Sequence, residues 1–405
     1  MERPYPKITV TKKCEKFIKS GHVWVYCDEI LHIDGTCENG NIVDVFTEKD
    51  RYLGSGYIND HSKIRVRIIS KNANDRFDED FYRRRIRYAI DYRLAVMGED
   101  FSSCRLIFGE ADSFPGLTVD KFEDILVVQV LSLGIERIKD RLFSLLREEL
   151  AQNGVIVRAI YERNDVKVRE LEGLTQYKDF YRAEGLRDDL DGTVRITENG
   201  ILYDVDYIEG QKTGFFLDQK YNRLAIRKIA KGRRVLDCFT HTGAFALNAA
   251  VTAEKVTAVD ISETAIKMAK HNAGLNGIEN IDFVQANVFE LLTDMALTKR
   301  RDYDMIILDP PAFTKSRSTV KEANRGYKEI NLKAMRLLPR GGYLATCSCS
   351  HFMSDELFCK MLLSAAQDAG VSLRQIECRR QACDHPILWG VEETDYLKFY
   401  IFQIV

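Results

Sequence analysis

The sequence lacks the long apolar segments and the cysteine spacings that are typical of membrane and secreted proteins. It contains no run of about 18 consecutive apolar residues, and no apolar segment follows the charged start Met1-Glu-Arg-Pro. We therefore expect neither a membrane-spanning helix nor a secretion signal. The ten cysteines follow no disulfide-framework or zinc-ligand spacing. We expect a cytoplasmic protein with reduced thiols and no bound metal.

An excess of charge of one sign is also absent, since the formal net charge is only −2. Global electrostatics therefore gives no argument for a nucleic-acid partner. The charges are unevenly placed, however, with an arginine-rich stretch over 63–93 and a second basic run over 315–328. Basic patches of this kind suit a polyanionic substrate, and we expect substrate contacts from Arg65, Arg67 and Lys315. A solvated helix face is the alternative for the first stretch.

The length and the residue pattern divide the chain into three parts. With 405 residues, 45% of them hydrophobic and 30% charged, an ordinary globular protein of two or three domains is expected. Short strands separated by glycine turns over 1–75 predict a small β-barrel. Mixed strands and helices over 76–190 predict a central α+β domain. Residues 191–405 form the third part, in which apolar strands alternate with amphipathic helices from Arg234 onward, the pattern of a doubly wound, Rossmann-like α/β sheet.

Three apolar strands of this third part each lead into a loop that carries chemical groups. The strands end near Asp237, Asp309 and Cys349. Loops at the carboxyl ends of parallel strands line the ligand crevice of such a sheet. In this order, the three segments resemble motifs I, IV and VI of an S-adenosylmethionine (SAM) methyltransferase, with a nucleophilic cysteine added. SAM is therefore the expected cofactor.

Side chains at three successive strand ends suit the parts of a nucleoside. The loop with Thr242 and Gly243 precedes a helix, where backbone N–H groups are available and glycine permits close approach of a ligand. Asp260 suits the ribose hydroxyls, and Asn287 suits the adenine edge. Each could instead cap a helix, but the three together favour a cofactor site. The expected cofactor-binding residues of these strand ends are Asp237, Phe239, Thr242, Gly243, Asp260, Ile261, Asn287, Val288 and Asp309.

The segment Gly210–Gln219 lies upstream of a helix and combines two glycines and two aromatic residues with polar side chains. Two interpretations remain open, a cover for the cofactor and an ordinary turn into the helix. Under the first interpretation, four further residues join the cofactor site: Gln211, Thr213, Phe215 and Asp218.

The loop Asp309-Pro310-Pro offers groups that hold a base. The prolines stiffen it, the carboxylate and neighbouring carbonyls accept hydrogen bonds, and Phe313 is suited to stacking. Cys349 adds a nucleophile. Thiolate addition to C6 of a pyrimidine enables C5 to attack a methyl group, while Asp309 at the N3 edge drains charge from the adduct. Cys347 competes for this role, because alternation puts both thiols on one face of the strand, and a buried structural cysteine is the alternative for Cys349.

Longer segments extend the resemblance over nearly the whole chain. Gly21–Tyr26 and Gly40–Val45 resemble the opening of a PUA domain, and Gly109–Asp120 resembles a central-domain signature. Three segments resemble catalytic-domain signatures: Gly210–Gln219, Asp309–Ser316 and Cys347–His351. Together they are similar to the bacterial 23S ribosomal RNA cytosine-5 methyltransferases that carry an N-terminal PUA domain.

This resemblance implies a PUA-like domain over 1–75, a central domain and a Rossmann-like methyltransferase domain. It also implies SAM-dependent methylation of C5 of a cytosine in 23S ribosomal RNA, with Cys349 as the nucleophile and Asp309 at the base edge. Family members usually have Asp where this chain has Asn287, an exchange that keeps an acceptor for the adenine amino group. The resemblance implies no membrane partner and leaves a homodimer open.

Two other functions remain open. One is N-methylation of a base amino group in ribosomal RNA by the Asp-Pro-Pro-Ala-Phe loop, with Cys349 as a bystander. The other is a non-catalytic RNA-binding factor in ribosome assembly. The presence of Asp237, Asp260, Asp309 and Cys349 argues against the second, since a scaffold does not need all four.

Overall fold

The computed structural model describes residues 3–298, 300–314 and 316–405. The chain divides into two compact units. The first unit comprises Met1–Ile196, Asp204–Leu217 and Cys383–Thr394. The second unit comprises Thr197–Tyr203, Asp218–Ala382 and Asp395–Val405. The division into three domains at residues 75 and 190 stays a prediction.

The amino-terminal part of the first unit is a six-stranded sheet with one helix on its core. Its elements are β1 (Lys7–Val10), α1 (Lys12–Lys19), β2 (Trp24–Tyr26), β3 (Ile30–Asp34), β4 (Ile42–Thr47), β5 (Tyr52–Ile58) and β6 (Ile64–Ser70). The order is β2-β6-β5-β4-β1-β3, in which β1 and β4 pair in parallel and the other neighbours antiparallel. Buried strand residues such as Ile8, Val45 and Val66 form one apolar core with Cys14 and Ile18 of α1.

The alternating residues of this part predict strands over Lys7–Val10 and Tyr52–Ile58, which are the observed bounds of β1 and β5, but they predict neither α1 nor β3. Helix α1 has few apolar residues, and one of them, Phe17, is exposed. Its start is signalled by Thr11, whose side chain accepts a hydrogen bond from the Cys14 amide. Strand β3 is mostly exposed, so no alternation of apolar and polar residues reveals it.

A five-stranded sheet and two long helices form the next part of the first unit. Its elements are α2 (Glu79–Met97), β7 (Ser103–Phe108), β8 (Leu117–Phe122), β9 (Ile125–Val130), α3 (Leu133–Gln152), β10 (Ala159–Asn164) and β11 (Tyr177–Phe180). The strands are ordered β11-β10-β9-β8-β7. Helix α2 begins after Asp78, which caps it by accepting from the Phe81 amide. A two-stranded sheet follows, formed by β12 (Thr193–Glu198) and β13 (Ile201–Asp206).

The second unit is a seven-stranded sheet with helices between its strands. Its elements are α4 (Lys220–Ala230), β14 (Arg234–Cys238), α5 (Ala244–Ala250), β15 (Lys255–Asp260), α6 (Glu263–Leu275), β16 (Ile281–Gln285), α7 (Val288–Leu297), β17 (Met305–Leu308), α8 (Val320–Leu337), β18 (Tyr343–Ser348), α9 (Asp355–Ala369), β19 (Leu373–Arg379) and β20 (Lys398–Ile404). The order is β16-β15-β14-β17-β18-β20-β19. Strands β14 to β18 run parallel, and β20 is antiparallel to both of its neighbours.

The direction of strand addition reverses at β14. The chain first adds β15 and β16 on one side of β14 and then places β17 and β18 on the other. This arrangement confirms the predicted doubly wound sheet, and its ligand crevice is expected at the reversal, outside the carboxyl ends of β14 and β17. Among the described residues no helix combines the length and the apolar character needed to cross a bilayer.

Candidate active site

The carboxyl ends of three neighbouring strands bring the predicted catalytic loops together. In the sheet, Cys238 at the end of β14 pairs with Leu308 at the end of β17, and Leu308 pairs with Thr346 of β18. The Asp309 amide donates to the Cys238 carbonyl at 3.4 Å. The loops that follow these strands therefore open on the same edge of the sheet.

The loop after β14 has a backbone that side chains rarely adopt. Phe239 and His241 have positive φ angles of 65° and 51°, a conformation that costs non-glycine residues energy and is often found at functional sites. Gly243 also has a positive φ, and a Cβ atom there would lie 2.7 Å from Leu247 Cδ1 and 3.0 Å from Ala269 Cβ. Packing within the unit therefore requires glycine at position 243. The role predicted from the sequence, close approach of a ligand to the backbone, stays a prediction.

Asp237 lies fully buried beneath this loop. Its Oδ2 accepts from Thr240 Oγ1 at 2.6 Å, whereas Oδ1 has no hydrogen-bond partner among the described residues. Burial, opposed by the Thr240 hydrogen bond and aided by the charge of Asp309, raises the pKa of Asp237 to about 8. Asp237 therefore favours the protonated form at neutral pH, in which one of its oxygens carries a hydrogen.

Asp260 connects two loops at the end of β15. Its Oδ2 accepts from the His241 amide and its Oδ1 from the Ser262 amide, both at 2.9 Å. Each carboxylate oxygen has a second acceptor site, so the group is positioned and still able to accept from hydroxyls. Near it, the Thr242 hydroxyl is buried without a hydrogen-bond partner among the described residues.

The residues after β15 and β16 lie in different surroundings. Ile261 is exposed, whereas Val288 is buried in the core of the unit. Asn287 caps α7, because its Oδ1 accepts from the Phe289 amide at 3.0 Å. Its Nδ2 donates to Glu290 Oε1 at 3.2 Å. The capping role that the sequence left as an alternative is thus present, and adenine recognition by Asn287 stays a prediction.

Asp309 follows the end of β17, where the ligand crevice is expected. Burial raises its pKa to about 7, and the charge of Asp218 acts in the same direction. The Gln219 amide donates to Asp309 Oδ1 at 3.0 Å and is oriented by Asn222, whose Nδ2 donates to Gln219 Oε1 at 2.7 Å. Gln219 and Asn222 were not among the predicted site residues, although Gln219 ends a segment that the sequence singled out. Asp309 is therefore a positioned carboxyl group that titrates near neutral pH.

The two candidate nucleophiles differ in accessibility. Cys347 is fully buried on β18, and its thiol hydrogen-bonds with Asp309 and Gln219. Burial and the Asp309 charge raise the pKa of Cys347 well above its ordinary value. Cys349 follows the end of β18, is only partly buried, and places Sγ 4.0 Å from the Pro310 carbonyl oxygen. A ligand in the crevice can reach Cys349, whereas Cys347 is enclosed by protein.

The predicted base-stacking residue is part of an aromatic cluster. The Phe313 ring lies 4.5 Å from the Tyr327 ring and 5.8 Å from the Phe289 ring, measured between centroids. It is partly buried against the core of the unit. A base could stack on Phe313 through the face of the ring that Tyr327 and Phe289 leave uncovered, or after a small rotation of the side chain. Lys315, the third substrate residue predicted in this loop, lies outside the described residues.

The segment before α4 is divided between the two units. Gln211, Thr213 and Phe215 belong to the first unit, where Thr213 Oγ1 donates to Asp120 Oδ2 at 2.6 Å and Phe215 is buried. Asp218 belongs to the second unit, and its Oδ2 accepts from the Tyr396 hydroxyl at 2.5 Å. Of the four predicted residues, Asp218 is thus the one that the second unit itself places near Asp309.

The arginines predicted to contact phosphate have protein partners. Arg67 is mostly buried, donates to Glu172 at 2.8 Å and Glu110 at 3.4 Å, and lies over the Trp24 ring. Arg65 pairs with Asp60. Their charges are already compensated, because β6 places both side chains beside acidic residues. Phosphate binding by either arginine stays a prediction that requires these ion pairs to exchange.

The second basic run has a different character. Arg317, Lys321 and Arg325, near the start of α8, are exposed and form no ion pair with other described residues. Lys328 of the same run pairs with Asp368 at 2.7 Å. The three exposed cations follow directly after the Asp309 loop, so the surface beside the crevice carries uncompensated positive charge. Such a surface attracts a polyanion.

Two protein families match the chain. Residues 8–71 match the PUA-like domain family. Residues 105–402 match the family of S-adenosylmethionine-dependent methyltransferases. The second match covers more than half of the sequence and includes all of the strand ends described above.

Relatives of known name are similar over their whole length. The chain is 36% identical over 409 residues to the ribosomal RNA large subunit methyltransferase I of Klebsiella pneumoniae (strain 342), with 99% of each chain covered. It is 38% identical over 395 residues to the protein of the same name in Aeromonas salmonicida (strain A449), with 96% of this chain and 97% of that protein covered.

Solved structures share the fold. A structure described as a SAM-dependent methyltransferase from Streptococcus mutans superposes with a TM-score of 0.81 at 22% identity, covering 98% of this chain and 99% of the other. A methyltransferase structure in complex with SAH gives a TM-score of 0.82 at 21% identity with the same coverage. At this identity the likeness concerns the fold alone.

Proposed function

The chain belongs to the family of SAM-dependent methyltransferases that includes the ribosomal RNA large subunit methyltransferase I proteins, and we propose that it methylates C5 of a cytosine in 23S ribosomal RNA through a covalent adduct with Cys349. The observation that carries this proposal is a partly buried thiol that lies 4.0 Å from the carbonyl oxygen of Pro310, the residue after Asp309, whose pKa is raised to about 7.

The residues at the ends of β14 and β15 fit the cofactor. Asp260 has free acceptor sites for the ribose hydroxyls, and the buried Thr242 hydroxyl lacks a protein partner among the described residues. When bound, SAM supplies an electrophilic methyl group. Asp260 would hold the ribose. Asn287 would contact the adenine through the remaining hydrogen-bonding capacity of its side-chain amide, whose Oδ1 already caps α7.

The thiol and the carboxyl group divide the activation of the base between them. The Cys349 sulfur forms a bond with C6 while the C5–C6 double bond breaks, and the displaced electrons move toward N3. Asp309 in its acid form donates a proton or a hydrogen bond at N3, which stabilises the negative charge. C5 then becomes nucleophilic and gains the methyl group. Loss of the C5 proton to a base, return of the N3 proton to Asp309 and cleavage of the C6–S bond then regenerate the acid form of Asp309, the thiolate and the neutral product.

The surroundings of the site favour RNA as the substrate. Arg317, Lys321 and Arg325 place positive charge beside the crevice, and phosphate contacts supply much of the affinity for nucleic acids. The relatives carry the name of ribosomal RNA large subunit methyltransferases. A PUA-like domain at 8–71 adds a second candidate surface for RNA.

The test compares two cysteine variants on ribosomal RNA. Cys349→Ala should abolish methyl transfer from labelled SAM and leave SAM binding nearly unchanged, because the thiol acts on the base. Cys347→Ala is the matched control. It should retain substantial activity, because the Cys347 thiol is fully buried and its removal affects only the packing around Asp309. RNA that contains 5-fluorocytosine should trap the wild-type protein covalently, because fluorine at C5 blocks the final elimination.

The outcomes separate the competing functions. Normal activity of Cys349→Ala without a trapped adduct would exclude the covalent route and favour methylation of an amino group held by Asp309 and the Pro310 carbonyl. Activity lost only in Cys347→Ala would keep the chemistry and move the nucleophile by two residues. SAM binding without transfer to any RNA would support a non-catalytic role in ribosome assembly.

A further inference from the structure

A buried lysine, Lys398, lies beside the chain segment that carries Cys349. Lys398 begins β20 and pairs in the sheet with Ser348, the residue before Cys349. Only 2% of Lys398 is exposed. Its Nζ donates to the carbonyl of Ser350, the residue after Cys349, and to the carbonyl of Tyr396, both at 2.7 Å. The ammonium group is therefore held against the segment Ser348–Ser350, at the end of β18, that carries the thiol.

This ammonium has no carboxylate partner among the described residues. The two nearby acids are engaged elsewhere, because Asp355 pairs with Arg380 at 3.0 Å and accepts from the Tyr400 hydroxyl at 2.7 Å. Asp395 pairs with Arg380 at 3.4 Å. A buried cation that has only neutral carbonyl ligands is costly unless an anion is available to it.

The charges around the pair are consistent with such an anion. Burial lowers the pKa of Lys398 to about 8, while interaction with Cys349 acts in the opposite direction and favours the charged lysine. Asp395 and Asp355 also favour the charged form, and Arg380 opposes it. A thiolate at Cys349 would therefore interact favourably with the ammonium group of Lys398 on β20.

Other titratable groups also lie near Cys349, including His351 two residues further along the chain. Helix α8 contributes Tyr327, whose hydroxyl accepts from Ser348 Oγ at 3.1 Å and whose pKa is raised by burial and also by the charge of Cys349. Strands β17 and β18 contribute Asp309 and Cys347, which are neutral or negative. Lys398 is the buried cation whose ammonium donates to the residue after Cys349 and interacts electrostatically with the thiol.

We propose that the Lys398 ammonium stabilises the thiolate of Cys349 and so keeps the nucleophile reactive at neutral pH. The thiol proton passes to solvent, and Lys398 keeps its own proton at neutral pH. Lys398 acts through Cys349 and not on the RNA or the cofactor. The consequence for methylation rests on the proposed function, but the state of the thiol can be measured without either substrate.

The experiment measures alkylation of Cys349 in the full-length protein between pH 6 and 9. Iodoacetamide is the probe, and peptide mass spectrometry reports each cysteine separately. In the wild type, Cys349 should react faster at pH 7 than the exposed Cys27, because thiolates are the reactive species. Lys398→Met should slow alkylation of Cys349 at pH 7 by about five- to tenfold and move its pH profile upward by roughly one unit. Lys398→Arg should restore most of the rate.

Two results would overturn the inference. One is a wild-type Cys349 with the same pH profile as Cys27, a comparison that needs no variant and therefore no assumption about folding. The other is a folded Lys398→Met protein, as judged by its circular dichroism, that alkylates Cys349 at the wild-type rate across the pH range.

Trapping on 5-fluorocytosine RNA separates this inference from the proposed function. If alkylation of Cys349 depends on Lys398 but the wild type forms no adduct with RNA, the thiolate is stabilised and the proposed methylation chemistry is wrong. If the wild type forms the adduct and Lys398→Met alkylates normally, the chemistry stands and the role of Lys398 is wrong.

Discussion

Replacing Asp237 by Asn removes a carboxyl group that binds its proton far more tightly in the folded protein than in the unfolded chain. Asp237 is completely buried under the loop after β14, and burial raises its pKa from 3.8 to about 8. An acid with a raised pKa contributes its full stability below the unfolded value and loses it as the pH rises through the folded value. The relevant window therefore runs from about pH 4 to pH 8.

The size of the effect follows from the two pKa values. Each unit of difference corresponds to about 1.4 kcal/mol, so ionisation of the unfolded chain costs about 3 kcal/mol of stability at pH 6 and about 5 kcal/mol at pH 8. Asn resembles the protonated acid, since its Oδ1 can accept the Thr240 hydrogen bond and it carries no charge. The variant lacks the pH-dependent loss, and its stability advantage over the wild type should grow by roughly 4 kcal/mol between pH 5 and pH 8.

Urea unfolding at several pH values measures this difference. Both tryptophans, Trp24 and Trp389, belong to the first unit, so fluorescence follows that unit and far-UV circular dichroism is needed for the second. Asp282→Asn, an exposed aspartate on β16, is the matched control and should show a small, nearly pH-independent change. An Asp237→Asn advantage that stays constant from pH 5 to pH 8 would refute the reasoning, because it would mean that Asp237 titrates normally in the folded state.

Three further experiments address the cofactor, the base and the RNA. Asp260→Ala should weaken SAM binding by roughly 1.5–3 kcal/mol, the value of a hydrogen bond to a charged group, and unchanged affinity in calorimetry would remove Asp260 from the site. The wild-type kcat/KM for methyl transfer should fall as the pH rises above about 7, where Asp309 loses its proton, and Asp309→Asn should lack this falling limb whatever its absolute rate. Charge reversal at Arg317 and Arg325 should flatten the salt dependence of RNA affinity, whereas reversal at the ion-paired Arg65 should change it less; equal effects at both places would contradict the assignment of the surface beside the crevice.

Local patterns in the sequence were sufficient for much of the fold. The runs that become β14, β17 and β18 are buried almost throughout, so they appear as largely apolar segments and indicate a parallel sheet directly. The outer strand β16 is mostly exposed and has a weaker pattern. Apolar side chains that recur at helical spacing predict a helix over Asp78–Val96, within one residue of the observed α2 at each end. Short, exposed elements such as α1 and β3 bury few side chains. Their apolar residues therefore show little helical or alternating periodicity in the sequence.

The sequence also located the chemical groups, because residues at the ends of consecutive parallel strands necessarily meet at one edge of the sheet. Strand order and strand ends in the sequence are therefore enough to bring Asp237, Asp309 and Cys349 to one edge. They do not distinguish Cys349 from Cys347, since strand alternation treats the two thiols alike.

Tertiary structure decided the environment of each group. The packing of β18 against β17, α8 and the distant β20 encloses Cys347, leaves Cys349 partly accessible and buries Lys398. Local sequence does not encode this packing. The same holds for Arg67, whose acidic partners come from segments more than 40 residues away. Charge, pKa and accessibility depend on neighbours in space, so the sequence determined which groups enter the site and the fold determined what they can do there.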